Sequence, residues 1–187
     1  MQSIISDVLF VLWFFLPAGL ANVAPVFAAK LPYLRAFNYP LDFYATFRGK
    51  RILGDHKTVR GLLSGLLIGI LTVYLQIYLY QQVPFVRSFV SIDYSSINPI
   101  LFGFLSAVGA LGGDAVKSFF KRQLGIPAGK SWFPFDQIDY VIGGIIVTSL
   151  YIRLTLWQYL ILFVLWSFIH PVATFIGYLL KLRDRPM

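Results

Sequence analysis

Five stretches of this chain carry no Asp, Glu, Lys or Arg: Val8–Ala29, Gly61–Val86, Tyr94–Gly113, Tyr140–Ile152 and Leu154–Leu180. A bilayer core takes about 20 predominantly apolar residues per helical crossing. Four stretches reach that length, and the fourth in order reaches it only if its helix begins near Phe135–Asp136. The pattern predicts an all-α integral membrane protein, a single polytopic domain over 1–187. Its five transmembrane helices are expected at about 4–29, 60–82, 96–122, 136–153 and 155–180, with loops 30–59 and 123–135 on one side. Composition agrees, since 58% of residues are hydrophobic and 13% charged, against roughly 45–50% and 25% in soluble domains. A soluble enzyme, a disordered tail and, with no cysteine present, a disulfide scaffold are excluded.

Charge is distributed unevenly about these spans. Lys30, Arg35, Arg48, Lys50, Arg51, Lys57, Arg60, Lys117, Lys121, Arg122, Lys130, Lys181, Arg183 and Arg185 fall on one side, and only Arg87 and Arg153 on the other. The positive-inside rule then puts the N-terminus outside and the C-terminus in the cytoplasm of a multi-pass cell-membrane protein. The net charge of +8 is accounted for by this bias, so nucleic acid is not an expected partner and the lipid bilayer is. All eight acidic residues are aspartates, and all but Asp7 and Asp93 lie on the basic side. The polar chemistry is therefore expected on the cytoplasmic face, in the two long loops and adjoining helix ends.

The third span runs into Gly112-Gly113-Asp114-Ala-Val-Lys117-Ser118-Phe-Phe-Lys121-Arg122 without a strong breaker. If it stays helical, Asp114, Ser118, Lys121 and Gly125 share a face, with Lys117 and Arg122 flanking it. Helical pairing of Asp114 with Lys117 or Lys121 is the plain alternative. The next loop, Gly129-Lys130-Ser-Trp132-Phe133-Pro134-Phe-Asp136-Gln137-Ile-Asp139, brings two more aspartates to the start of the fourth helix. There Asp136 could cap the helix and Asp139 complement its dipole. Three aspartates at two helix ends on one membrane face fit a cation site, and hard oxygens with room for substrate phosphates suit Mg²⁺. A second cation could share the carboxylates.

In the first loop, Gly49-Lys-Arg-Ile-Leu-Gly54-Asp55-His56-Lys57-Thr58-Val-Arg60 has the look of a phosphate-binding P-loop. Asp55-His56 breaks the required Gly-Lys-Thr sequence, and no strand–loop–helix context exists, so the Walker motif is rejected. Gly54 still lets a backbone approach a phosphate, and Lys57 and Arg60 supply charge. Thr58 reads chiefly as the cap of the second helix. His56, among cations, is not expected to be a base. Asn22 and His170, the latter before Pro171, read as satisfied polar groups near proline kinks. Trp132 and Phe133 are expected to anchor their loop at the bilayer surface.

Gly113-Asp114-x-x-x-Ser118-x-x-Lys121-Arg122 followed by Asp136-x-x-Asp139 resembles the signature of the CDP-diacylglycerol synthase family, and in particular its short archaeal branch, the CDP-archaeol synthases. Ala21-Asn22-x-x-Pro25-Val, Pro40-Leu-Asp42-Phe and Arg48 through Gly61 are similar to that branch as well. The bacterial form has His-Gly-Gly and Asp-Arg-x-Asp motifs. Here His-Gly-Gly is absent and Gln137 takes the arginine's place.

The resemblance implies a CTP-dependent cytidylyltransferase with CTP and an isoprenoid ether-lipid phosphate, 2,3-di-O-geranylgeranyl-glycerol-1-phosphate, as partners. CDP-archaeol and pyrophosphate would be the products. It implies Mg²⁺ held by Asp114, Asp136 and Asp139, with Lys121 in the catalytic set. Lys117, Ser118, Lys121, Arg122 and Lys130 would contact the nucleotide. Gly54, Asp55, His56, Lys57, Thr58 and Arg60 would hold the lipid phosphate. A small polytopic transporter of phosphate or other anions is the alternative. Transporters put polar or broken-helix elements near mid-membrane in repeated halves; here no repeat is evident and the charges avoid the midplane, with only Asn22 and His170-Pro171 in dissent.

Overall fold

The helix at 59–82 shows how this chain packs. Its buried face carries Gly61, Gly65, Gly69, Thr72, Val73 and Gln76, while Leu63, Leu67, Leu71 and Leu75 are all at least half exposed. A water-soluble helix does the reverse. Between helices in lipid there is no hydrophobic driving force, so small residues go inside, where backbones approach closely, and large apolar ones face the hydrocarbon.

In the computed structural model residues 3–127 and 130–179 are described, with the backbone alone at Arg35, Ala36, His170, Ala173, Ile176 and Gly177. Six helices account for most of these residues: α1 Ile4–Ala28, α2 Val59–Gln82, α3 Pro84–Phe89, α4 Pro99–Gln123, α5 Phe135–Thr148 and α6 Leu156–Leu179. The expected basic tail, Lys181, Arg183 and Arg185, the last residue of the fifth span and the side chain of His170 lie outside the described residues. Helix α1 lies at the centre and packs against α2, α4, α5 and α6. Its Phe14 stacks at 5.3 Å on Phe102 of α4, and its Phe15 at 5.4 Å on Trp166 of α6.

Helices α1, α2 and α4 are long and apolar enough to cross a membrane, and α6 contributes an apolar segment over Leu156–Ile169. The structure differs from the expected spans at two places. Helix α4 begins at Pro99, because Asn98 caps it by accepting the Leu101 N–H at 3.0 Å. Tyr94–Ser96 before it forms a separate 3-10 turn under an Asp93 cap. Helix α5 has 14 residues, a rise of about 21 Å, and stops at Thr148 rather than continuing to 153. There the Thr148 carbonyl accepts both Tyr151 and Ile152 N–H groups. The Tyr159 hydroxyl accepts the Leu154 N–H beyond the helix end, and the Tyr151 hydroxyl accepts the Asn98 N–H at the start of α4.

One strand pair departs from the all-α expectation. Thr46–Phe47 (β1) and Lys50–Arg51 (β2) form a minimal antiparallel hairpin. Its turn residues Arg48 and Gly49 both have positive φ, the geometry that matches strand twist in a two-residue hairpin.

Close approach is tightest between α4 and α5. A Cβ on Gly143 would lie 2.3 Å from the Gly109 carbonyl oxygen, and one on Gly113 would lie 2.3 Å from that of Asp139. Gly143→Val is therefore expected to separate the helices and cost about 1–3 kcal/mol by overpacking. Gly112→Ala, where a Cβ meets nothing within 4 Å, should be neutral or slightly stabilising. Thermal unfolding of the two variants in detergent checks the contrast.

Candidate active site

The loops 30–58 and 124–134 meet at one end of the bundle. Gly113 makes the junction possible: without a side chain there, the Asp139 backbone of α5 reaches α4 one residue before Asp114. Three carboxylates then converge on the Lys117 ammonium. Its Nζ lies 3.0 Å from Asp114 Oδ1, 2.7 Å from Asp136 Oδ1 and 2.8 Å from Asp139 Oδ2. Lys57, from the first loop, donates to the other oxygen of Asp114. Lys121 reaches both oxygens of Asp136 at 3.2 Å and donates to the Lys130 carbonyl. The cluster holds three aspartates and three lysines, so its charge is balanced.

The carboxylates do not form a ready metal cage. Among the described residues, no group of three or more His, Cys, Asp or Glu side chains is arranged to hold an ion, because the Lys117 ammonium stands where they converge. The donor set nevertheless suits a divalent cation. The oxygens are hard, they already surround a positive charge, and the buried Asp139 Oδ2 accepts no well-aligned hydrogen bond among the described residues.

Other expected site residues are placed differently. Asp136 does not cap α5; it sits in the first turn and accepts the Trp132 N–H. Ser118 donates its hydroxyl back to the Asp114 carbonyl at 2.8 Å, the local bond typical of a mid-helix serine. Lys130 enters the cluster through its carbonyl, while its side chain is exposed. Asp55 is exposed and paired with Arg51 at 2.9 Å, which turns it from the cluster, and His56 is exposed beside it. Thr58 caps α2, accepting the Gly61 N–H at 3.1 Å. Gly125 does not extend the Asp114 stripe: with φ of +76° it ends the helix, as glycine does at the residue after a C-cap.

Two arginines stand apart. Nε of Arg60 and Nε of Arg122 are buried and find no hydrogen-bond partner among the described residues. Arg122 lies against Gly54, whose Cβ, if present, would be 3.6 Å from its guanidinium. Arg60 lines an apolar cavity of about 490 Å³ between α1, α2 and the 3-10 turn Pro32–Phe37, with Leu20, Phe27, Leu34, Leu63 and Leu67 among its walls.

The first loop is held in place by residues outside the predicted site. Asp42 accepts Arg51 at 2.7 Å, the Leu53 N–H at 2.9 Å and the Gly54 N–H at 3.0 Å. Burial opposes its ionisation, but Arg51 and these backbone N–H groups outweigh that and hold its carboxyl well below the usual carboxylate range. Lys50 then docks the loop on the end of α4, donating to the Gln123 carbonyl at 2.6 Å, where a helix's unpaired carbonyls favour a cation. Sequence spacing offers no signal for contacts between residues 73 apart, although Asp42 does lie in a motif that carries the family resemblance.

Because ionised Asp42 anchors the loop, its support is full above about pH 4, the ordinary carboxylate range. It is lost as pH falls from there toward the depressed folded value. At neutral pH, Asp42→Asn should speed hydrogen exchange of the Leu53 and Gly54 amides by at least about tenfold, the scale of losing hydrogen bonds to a charged acceptor. Amide exchange by mass spectrometry would show it.

The chain is similar over most of its length to proteins of one family. The family model for CarS-like CDP-archaeol synthase matches residues 2–187. The CDP-archaeol synthase of Methanospirillum hungatei is 36% identical, covering 91% of this chain and 99% of that protein. That of Pyrobaculum islandicum is 32% identical, covering 94% and 98%. A solved structure, described as an intramembrane enzyme for archaeal membrane lipids biosynthesis, superposes with TM-score 0.69 at 28% identity, covering 89% of this chain and 93% of that one. None of these matches supports an anion transporter.

Proposed function

The chain belongs to the CDP-archaeol synthase family, and from that premise we propose the reaction its site carries out and the residues that do it. It is a CTP-using transferase of membrane-lipid biosynthesis. The lipid phosphate of a geranylgeranyl glycerol ether attacks the α-phosphorus of CTP, the bond to the bridging oxygen breaks, and pyrophosphate leaves. The single observation behind the assignment is the convergence of Asp114, Asp136 and Asp139 on one cationic point.

A phosphate monoester is already an anionic nucleophile at neutral pH, so the protein need supply no strong base. Positioning and charge neutralisation remain. Lys121 and Arg122 are suited to draw negative charge from the triphosphate. Lys57, carried by the docked first loop, reaches Asp114 of the same cluster. Mg²⁺ held by the three aspartates would supply Lewis-acid stabilisation of the phosphate oxygens. Asp55 supports the loop through Arg51 and Thr58 caps α2, so the substrate-binding role is kept for Lys57, Gly54 and Arg60.

The apolar cavity beside Arg60 is assigned to the lipid's hydrocarbon. It lies within the usual size range of ligand pockets, and Arg60 at its wall is three residues from Lys57, which would let the two share a phosphate. The site is assigned to the cytoplasmic face, because Arg48, Lys50, Arg51 and Lys57 crowd that end of the bundle.

The test is metal-dependent conversion of CTP and the geranylgeranyl ether phosphate to CDP-lipid by protein purified in detergent, with a diacyl phosphate in parallel. Asp139→Asn should lower kcat by at least about 100-fold, the scale of losing a charge-stabilising group. Leu67→Trp, which narrows the cavity, should raise KM for the lipid and leave that for CTP unchanged. No conversion by folded protein would overturn the reading. A Leu67→Trp enzyme with unaltered lipid KM would overturn the cavity's assignment.

A further inference from the structure

We infer that Lys117 is a built-in stand-in for the metal, and that it makes divalent cation and nucleotide bind together rather than separately. The inference rests on the proposed reaction and goes beyond it. Its basis is the position of the ammonium, within 3.0 Å of a carboxylate oxygen from each of three aspartates on two helices. With a side chain only 14% exposed, it occupies the point a cation would take.

Charge arithmetic gives the consequence. Asp114, Asp136 and Asp139 are matched by Lys57, Lys117 and Lys121, so a divalent ion arriving alone would leave two surplus positive charges in a half-buried site. It would also have to expel an ammonium with nowhere to go, and uncompensated buried charge is costly. A metal–CTP complex brings phosphates that the displaced Lys117 can follow. Lys117 thus has two positions: on the carboxylates in the empty enzyme, and on phosphate in the loaded one. Without it, three carboxylates would repel one another in the empty enzyme; Lys117 also holds α4 to α5 until substrate arrives.

The direct test uses Mn²⁺ as probe, counting Mn²⁺ and labelled CTP retained with the protein on ultrafiltration, in the absence of lipid. Wild-type protein should retain Mn²⁺ weakly alone and at least about tenfold more tightly with CTP. By linkage Mn²⁺ should tighten CTP by the same factor. Lys117→Gln should retain Mn²⁺ alone at least about tenfold more tightly than wild type, and gain more in thermal midpoint from Mn²⁺ alone. Lys117→Arg, which keeps the charge, should behave as wild type. Wild-type protein that binds Mn²⁺ equally with and without CTP would overturn the inference, whether or not Lys117→Gln folds. So would a folded Lys117→Gln protein with unchanged Mn²⁺ affinity. If the same preparation converts CTP to CDP-lipid, either result leaves the proposed reaction standing. Absence of conversion in every lipid overturns the reaction and this inference with it.

Discussion

The ammonium of Lys117 among Asp114, Asp136 and Asp139 is the contact on which the functional end of this protein depends. Charges held near a membrane are tolerated when they are paired, and here the pairing ties together two consecutive helices, α4 and α5. Lys57 brings the first loop to the same aspartate, and Lys121 ties in the loop before α5 through the Lys130 carbonyl. Remove the central cation and the remaining groups lose their reason to be adjacent. Asp42 does the corresponding work for the first loop, and the docking of Lys50 on the end of α4 joins the two arrangements.

That cluster could not form without close helix packing beneath it. Gly109, Gly113 and Gly143 bring α4 and α5 within backbone contact, and this is what puts Asp139 beside Asp114. The glycine of the Gly113-Asp114 pair is thus a spacing device for the aspartate that follows it. In lipid, where burying leucine gains little between helices, such small-residue contacts carry the packing, so stability and site geometry rest on the same residues.

Much of this was legible in the sequence. The charge-free stretches located the long helices because the bilayer penalises every ionised group along a span, and the three aspartates stood out because their neighbours are so apolar. The ends of elements were less legible. Helix α5 stops at Thr148, where its carbonyl takes the Tyr151 and Ile152 N–H groups and the Tyr159 hydroxyl takes that of Leu154, while Tyr151 reaches across to the start of α4, a tertiary arrangement that no local pattern encodes. The family resemblance put Asp55 with the lipid phosphate, but in the fold Arg51 of the hairpin takes it as a partner. The pairing of Lys117 with α5 aspartates was hidden for the same reason: helical spacing offered it Asp114, and only the fold added the other two.

Transfer of a cytidylyl group to a lipid phosphate fixes the fate of each phosphorus of CTP. The most direct measurement is which phosphorus of CTP enters the lipid. CTP labelled at the α-phosphorus should carry label into the organic phase in a metal-dependent way, while CTP labelled at the γ-phosphorus should leave its label in aqueous pyrophosphate. Label from the γ position in lipid would mean a kinase reaction and would contradict the account; so would folded, metal-supplied protein that moves neither.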